Sequence, residues 1–104
     1  MKLLQIVPRG STRLYGAMVK KEADIRKKNR GTFLRSGRKS RNEAKWTHKN
    51  YNGWINLQRG LAEVVTVVIQ SRAEKQEWQL LSAFLGWLDR HCAKSVSSVS
   101  IHYR

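Results

Sequence analysis

The feature that most constrains the fold is a run of β-branched residues from Val64 to Ile69. Valine, isoleucine and threonine favour strands, because their branched side chains pack well on a pleated surface. Alternate residues of a strand point to opposite faces, and in this run both sets are largely apolar. Such a strand lies inside a sheet and is normally covered on both sides. We expect a helix to cover one side, and either an N-terminal arm or a second subunit to cover the other.

A second strand signal is centred on Asn52-Gly53, which is typical of a two-residue type I′ turn. Runs rich in aromatic and β-branched residues flank it, so a hairpin is predicted in which Tyr51 faces Trp54 and Thr47 faces Gln58. On this register one face, the core side, holds Trp46, His48, Ile55 and Leu57. The other, wet and basic face holds Lys45, Thr47, Lys49, Tyr51, Trp54, Asn56 and Gln58.

The C-terminal third predicts one long helix and a last strand. Ser71 to Glu74 has the spacing of a capping box, and the helix is expected to run to about Cys92. Its apolar stripe is expected to comprise Trp78, Leu81, Leu85, Leu88 and Cys92. Ser98 to Tyr103 alternates strictly. The predicted class is therefore α+β, with an antiparallel-rich sheet of four to five strands packed on this helix, a final strand and a basic N-terminal arm.

Charge divides the chain into unequal halves. Residues 1–50 carry 15 basic and 3 acidic side chains, whereas residues 51–104 carry 6 basic and 4 acidic ones. The formal net charge is +14, and the densest stretch, Lys20 to Lys49, holds 12 basic residues against 3 acidic ones. This asymmetry indicates a basic arm or face on an otherwise ordinary domain, and a polyanionic partner.

A length of 104 residues suits one compact domain with flanking segments. Residues 1–17 contain Val7-Pro8-Arg9-Gly10-Ser11, which resembles a thrombin-site linker, so we interpret them as a tag or a disordered leader. Residues 18–43 are interpreted as the basic arm. Its first part, residues 18–30, is expected to be a weak helix or a mobile segment, and Thr32 to Arg35 are expected to form a short edge strand. Residues 44–104 are expected to form the compact α+β domain.

An exposed face that combines lysines with aromatic rings indicates nucleic-acid binding. Basic side chains contact phosphates whatever the base sequence, and Tyr51 and Trp54 offer π faces to unpaired bases. A single strand is therefore favoured over a duplex, with DNA and RNA both open. The same two rings would also stabilise a tight hairpin without any ligand. The predicted binding residues are Lys27, Lys28, Arg30, Arg35, Arg38, Lys39, Arg41, Lys45, Lys49, Tyr51 and Trp54.

The alternative is a protein–protein interaction or oligomerisation module. It would use the apolar second face of Val64, Thr66 and Val68. It would otherwise use the surplus aromatic residues Trp78 and Trp87 against a second copy or a larger acidic partner. A homodimer is expected with the nucleic-acid-binding interpretation, and a second subunit is one of the two covers open to a strand that is apolar on both faces.

The sequence offers little for catalysis or metal binding. His48, His91 and His102 are scattered, and neither HxxxH nor CxxC spacing is present. Cys92 lies on the apolar stripe of the predicted helix, where a buried thiol packs inertly. No glycine-rich phosphate loop follows a strand. A small nuclease or transferase using His48 or His102 stays as a third hypothesis, but we expect no enzymatic activity, no cofactor and no metal.

No apolar run approaches the roughly 18–20 residues that a bilayer-spanning helix needs. The short apolar start is interrupted by Pro8-Arg9 and does not fit an export signal. The single cysteine excludes an intramolecular disulfide. We therefore expect a cytoplasmic protein without membrane attachment.

Overall fold

The computed structural model describes residues 1–38 and 40–104, and the predicted binding residue Lys39 lies outside the described residues. Short 3-10 turns span Leu61–Glu63 and Ala93–Ser95. In chain order the longer elements are β1 (Lys2–Pro8), α1 (Leu14–Lys27), β2 (Phe33–Ser36), β3 (Glu43–His48), β4 (Trp54–Arg59), β5 (Val65–Gln70), α2 (Glu74–Cys92) and β6 (Val96–Tyr103).

The strands of the described residues form one antiparallel sheet in the order β2-β3-β4-β5-β1-β6. The class is α+β, as predicted, and a long helix in the C-terminal half precedes the final strand. The sheet has six strands rather than four to five, and a second helix, α1, precedes β2. In the described part of the chain, neither helix is both long and apolar enough to cross a bilayer.

β5 is the interior strand that its sequence requires, and it pairs with β4 and β1. Val65, Val67 and Ile69 are fully buried on the face that both helices cover, because α1 and α2 contribute to the same apolar core. Thr66 and Val68 are half-buried on the opposite face. A cover on both sides is therefore absent among the described residues. We call this opposite face, which also carries Lys45, Thr47, Trp54, Asn56 and Gln58, the helix-free face.

Residues 1–17 belong to the fold, so their interpretation as a disordered leader is wrong. β1 lies between β5 and β6, and its residues Leu4 and Ile6 are fully buried. Lys2 Nζ donates a hydrogen bond of 2.8 Å to Glu77 Oε1 of α2, which ties the start of the strand to the helix layer. The pairing of β1 with β5 and β6 joins residues more than half the chain apart, so no local sequence pattern predicts it.

The first part of the segment expected to be an arm, residues 18–27, is helical. α1 buries Leu14, Tyr15, Met18 and Val19 in the same core that the rest of the chain shares. Two of these residues, Leu14 and Tyr15, come from the segment interpreted as the leader, so residues 18–43 alone show only a weak apolar stripe. The division into an arm and a separate compact domain is therefore wrong. The edge strand predicted at Thr32 to Arg35 corresponds to β2, which begins and ends one residue later and lies at one edge of the sheet.

β3 and β4 form the predicted hairpin pair, but not through a two-residue turn. Residues 49–53 connect them, and Asn52 does not have the positive φ that a type I′ turn requires. Gly53 has φ +124°, and a Cβ there would collide with the carbonyl oxygen of Gln70 and lie 2.7 Å from Leu80 Cδ1. Glycine is needed at this position because the connection passes close to the end of β5 and to α2.

The hairpin register differs from the predicted one by four residues. Asn56 pairs with Lys45 rather than with Lys49, and Ile55 pairs with Trp46. A shift by an even number leaves each strand residue on its predicted face, because side chains alternate with a period of two. Trp46, Ile55 and Leu57 are accordingly buried, at 1% exposure or less.

α2 ends at Cys92 as predicted, but it begins without the predicted capping box. Its N-cap is Ala73, which has no side-chain cap, and the Ser71 hydroxyl accepts the backbone N–H of Ala73 at 3.3 Å. Trp78, placed on the apolar stripe by its spacing, is 54% exposed. The stripe reaches the core only from Leu80 onward, where the helix lies over the sheet.

The substitution Leu4→Ala tests whether β1 is an integral strand. Because Leu4 is fully buried, we expect the free energy of unfolding to fall by about 2–5 kcal/mol, measured by urea denaturation followed by circular dichroism. The matched control is Val7→Ala in the same strand, since Val7 is 37% exposed and should cost about 0.5 kcal/mol. Equal small losses for both variants would contradict this placement of β1.

Candidate nucleic-acid interface

Basic residues collect along the β2 edge of the sheet. Lys27, Lys28 and Arg30 lie where α1 ends and the chain turns toward β2, and Arg38 and Arg41 lie in the connection that follows β2. All five are exposed. β2 has four residues and spans only about 13 Å, so the two groups flank its two ends, and we call them together the basic edge.

The carboxylates of the protein leave most of this charge unneutralised. Among the described residues, the Lys and Arg side chains within 4.0 Å of a carboxylate are Lys2, Arg26 and Arg59. Within the described part of Lys20 to Lys49, the one such pair joins Arg26 Nε and Glu22 Oε2, at 3.5 Å. The stretch therefore presents its positive charge outward.

Lys45 and Trp54 lie together on the helix-free face. Lys45 Nζ is 5.3 Å from the centroid of the Trp54 ring, a distance at which an ammonium group is attracted to the indole π system. The Trp54 indole N–H donates to Gln70 Oε1 at 3.1 Å, which fixes the orientation of the half-buried ring. An oriented aromatic ring thus lies beside an exposed cation.

A cavity of about 380 Å³ opens beside Lys45. Arg38 and Lys45 contribute positive charge to its wall, and Asn56 and Gln58 contribute amide groups that can donate and accept hydrogen bonds. Glu43, the one acidic residue of this wall, accepts a hydrogen bond of 3.4 Å from Gln58 Nε2. The cavity can therefore hold an anionic group and polar groups side by side.

The predicted turn places Tyr51 and Lys49 with Trp54 on the helix-free face. In the structure neither residue lies there. The Tyr51 ring stacks on His48 with centroids 4.6 Å apart and packs against the core. Lys49 is exposed beyond the end of β3, and its backbone N–H donates to the carbonyl of Thr32 at 2.9 Å. The longer connection takes both residues out of the ladder, so one aromatic ring remains where two were predicted.

Arg35 lies on the helix-covered face rather than at the surface of the helix-free face. It stands opposite Trp46 in the β2–β3 ladder and is half-buried. Its Nε is buried without a hydrogen-bond partner. Arg35 therefore lies on the opposite face of the sheet from Lys45, and its Nε does not face solvent.

The sequence alone does not identify two groupings of residues that the structure shows. Gln70, which orients Trp54, stands directly opposite it in the β4–β5 ladder, so only the strand register identifies it. Lys21 of α1 lines a cavity with Arg90 and His91 of α2. No spacing signal connects these residues, because they come from helices far apart in the chain.

The described residues contain no group of three or more His, Cys, Asp or Glu side chains able to hold a metal ion. Burial raises the pKa of the Cys92 thiol to about 11, although Lys21 opposes the shift, so the thiol is protonated at neutral pH. His48 Nδ1 accepts the backbone N–H of Asn50 at 3.0 Å.

No protein family model, curated protein or solved structure matches this chain. A fold alone supports many functions, so the chemistry of the site is what indicates the function of this chain. The features that matter are the unneutralised basic edge, the oriented ring of Trp54 with Lys45, and the polar cavity beside them.

The environment of His48 makes the stability depend on pH. Burial lowers the pKa of His48 below 6.5, and its Nδ1 can accept the Asn50 N–H only while unprotonated. The unfolded state then binds the proton more readily, so stability is lost as the pH falls below about 6.5 toward the folded-state pKa. We expect the urea midpoint to decrease over this window. A histidine NMR signal assigned to His48 that titrates at or above 6.5 would contradict this.

Proposed function

We propose that this chain is a small, non-enzymatic, cytoplasmic protein that binds nucleic acid without base-sequence preference. The observation that supports the proposal is the unneutralised charge of the described residues between Lys20 and Lys49, where one ion pair forms. Phosphates can supply the missing counter-charge, and each one that is neutralised releases condensed counterions. The single thiol, buried at Cys92, suits a reducing compartment.

The shape of the basic edge favours a polymer over a small anion. Its cations extend from Lys28 and Arg30, past β2, to Arg38 and Arg41. A nucleic-acid strand carries a charge about every 3.4 Å, so it can meet several of these side chains in succession. A small anion could neutralise only one end of the row.

The helix-free face favours a single strand over a duplex. The two helices are packed on the other side of the sheet, so neither projects from this face into a major groove. Trp54 is held by Gln70 and is flanked by Lys45, an arrangement in which a base can stack while a phosphate meets the lysine. Asn56 and Gln58 can bond to bases or sugars without selecting one sequence.

The double variant Arg38→Gln with Lys45→Gln tests the phosphate contacts. Loss of two contacts should weaken binding to single-stranded oligothymidylate and reduce the slope of log K against log salt by about 0.7 per contact. The control, Lys94→Gln with Arg104→Gln, removes the same charge from exposed residues outside this edge. Fluorescence anisotropy at several salt concentrations measures both. If the two variants lose affinity and slope equally, the interface is not at the β2 edge.

The stacking contribution is tested at Trp54. Trp54→Leu should cost about 1–3 kcal/mol of binding free energy, whereas Trp54→Phe keeps an aromatic face and should retain most of the affinity. Thermal unfolding of each variant separates a binding defect from a folding defect. Equal affinities for the Leu and Phe variants would exclude base stacking at this position.

We also propose that the chain forms a homodimer through β6. This edge strand has eight residues and contains no Lys, Arg or Pro, the residues that commonly block pairing at sheet edges. Its outer side leaves backbone groups unpaired among the described residues beyond Val96, whose N–H donates to the Ala93 carbonyl and whose carbonyl accepts Arg9 Nη2 at 3.2 Å. A second copy that pairs antiparallel would continue the sheet with two-fold symmetry.

The two surfaces that the sequence suggests for self-association, the second face of β5 and the tryptophans of α2, are less suitable than β6. Trp87 is 3% exposed and belongs to the core. Thr66 and Val68 are only half-exposed on the helix-free face, next to polar neighbours such as Asn56. Trp78 remains the exposed aromatic residue of α2.

The substitution Ser100→Lys tests dimerisation through β6. It places like charges near each other when two copies pair antiparallel about the middle of the strand, so we expect a shift toward monomer. Ser82→Lys adds the same charge at an exposed position of α2 and should leave association unchanged. Sedimentation velocity over a concentration series measures both. A wild-type chain that stays monomeric throughout would exclude the dimer.

A further inference from the structure

A second basic cavity lies on the helix side of the molecule, apart from Lys45 and Trp54. It has a volume of about 350 Å³, within the range of about 300–1,000 Å³ that small-molecule sites occupy. Its walls come from the end of α1, the segment that precedes β2, and the end of α2. The basic residues that line it are Lys21, Lys28, Arg30, Arg90 and His91.

The electrostatics of this cavity are one-sided. None of its lining residues is acidic, and none of its five basic side chains forms an ion pair within the described residues. The pKa of His91 is lowered first by burial and then by the positive charges of Lys21 and Arg90. An anion in the cavity would relieve their mutual repulsion.

The floor and rim of the cavity are built by packed residues. The His91 ring lies 5.3 Å from the ring of Trp87, which is almost completely buried. Gly31 has φ +90°, and a Cβ there would lie 2.7 Å from Ile25 Cγ2. Only glycine allows the chain to pass this close to α1, and the passage places Arg30 at the rim.

We propose that this cavity binds a phosphate monoester, carried either by the end of a nucleic-acid strand or by a free nucleotide. A monoester has up to two negative charges and three terminal oxygens, whereas a backbone diester has one charge. Several convergent donors in one concave site match the monoester better. The nucleic-acid source rests on the proposed function, and the free source does not.

The test uses the full chain in phosphate-free buffer and follows the His91 imidazole signals by NMR. The probes are inorganic phosphate, adenosine 5′-monophosphate, and an oligothymidylate with either a terminal phosphate or hydroxyl ends. The variant Lys21→Gln with Arg90→Gln removes two cations from the cavity. The control, Lys75→Gln with Arg104→Gln, removes the same charge from exposed positions that do not line it.

The proposal is supported by a saturable shift of the His91 signals in the wild-type chain. The cavity variant should then bind the probe about tenfold more weakly, and the control should bind it unchanged. If the phosphorylated oligonucleotide also binds about tenfold more tightly than the hydroxyl form, the source is a nucleic-acid end. If only phosphate or the monophosphate gives the shift, the source is a free ligand.

The proposal is overturned if no probe gives a saturable shift, or if the cavity variant and the control weaken binding equally. Failure of both oligonucleotides to bind at any salt concentration, while phosphate still shifts His91, would overturn the proposed function and leave the cavity as a site for a free phosphate ligand. The two failures are therefore distinguishable.

Discussion

Apolar burial on one face of the sheet is the constraint on which the rest of the structure depends. The central strands β1, β4 and β5 direct their fully buried apolar side chains to the same side, and both helices pack there. The Glu77 carboxylate of α2 joins this layer to β1: burial opposes its ionisation, but hydrogen bonds from Lys2 and the Met1 amino group outweigh burial and hold its pKa below the ordinary value. With the helices on one side, the other side stays open for Lys45 and Trp54.

The same packing explains how the fold carries so much positive charge. α1 buries its apolar side against the sheet and exposes its lysines, so the basic residues at its end lie beside β2. Glu22 is buried beneath them, 3.5 Å from Arg26, and it offsets part of the repulsion from within. The remaining repulsion opposes compaction, and a bound polyanion would relieve it and stabilise the folded chain. Under the proposed function, folding and polyanion binding would be coupled through this repulsion.

Local patterns predicted the parts of the fold that depend on neighbours in sequence. The β-branched run from Val64 to Ile69 is a central strand, and alternation placed Trp46 and Ile55 in the core even though the register was wrong. Those patterns gave wrong predictions where contacts between distant segments determine the position of a residue or strand. β1 reads as a short apolar leader because its partners, β5 and β6, lie at the other end of the chain. Tyr51 leaves its predicted face because the connection between β3 and β4 has five residues rather than two, and it passes close to Gln70 and Leu80 at Gly53.

The candidate site divides along the same line. Residue pattern alone established the basic character of Lys20 to Lys49 and the shared face of Lys45 with the start of β4, since charge is a property of composition and alternation has a period of two. Tertiary packing decided that Trp54 stays on the open face while Tyr51 turns to the core, and that Lys21 meets Arg90 at one cavity. Such encounters join distant segments, and their geometry follows from how helices and strands fill space together rather than from any local repeat.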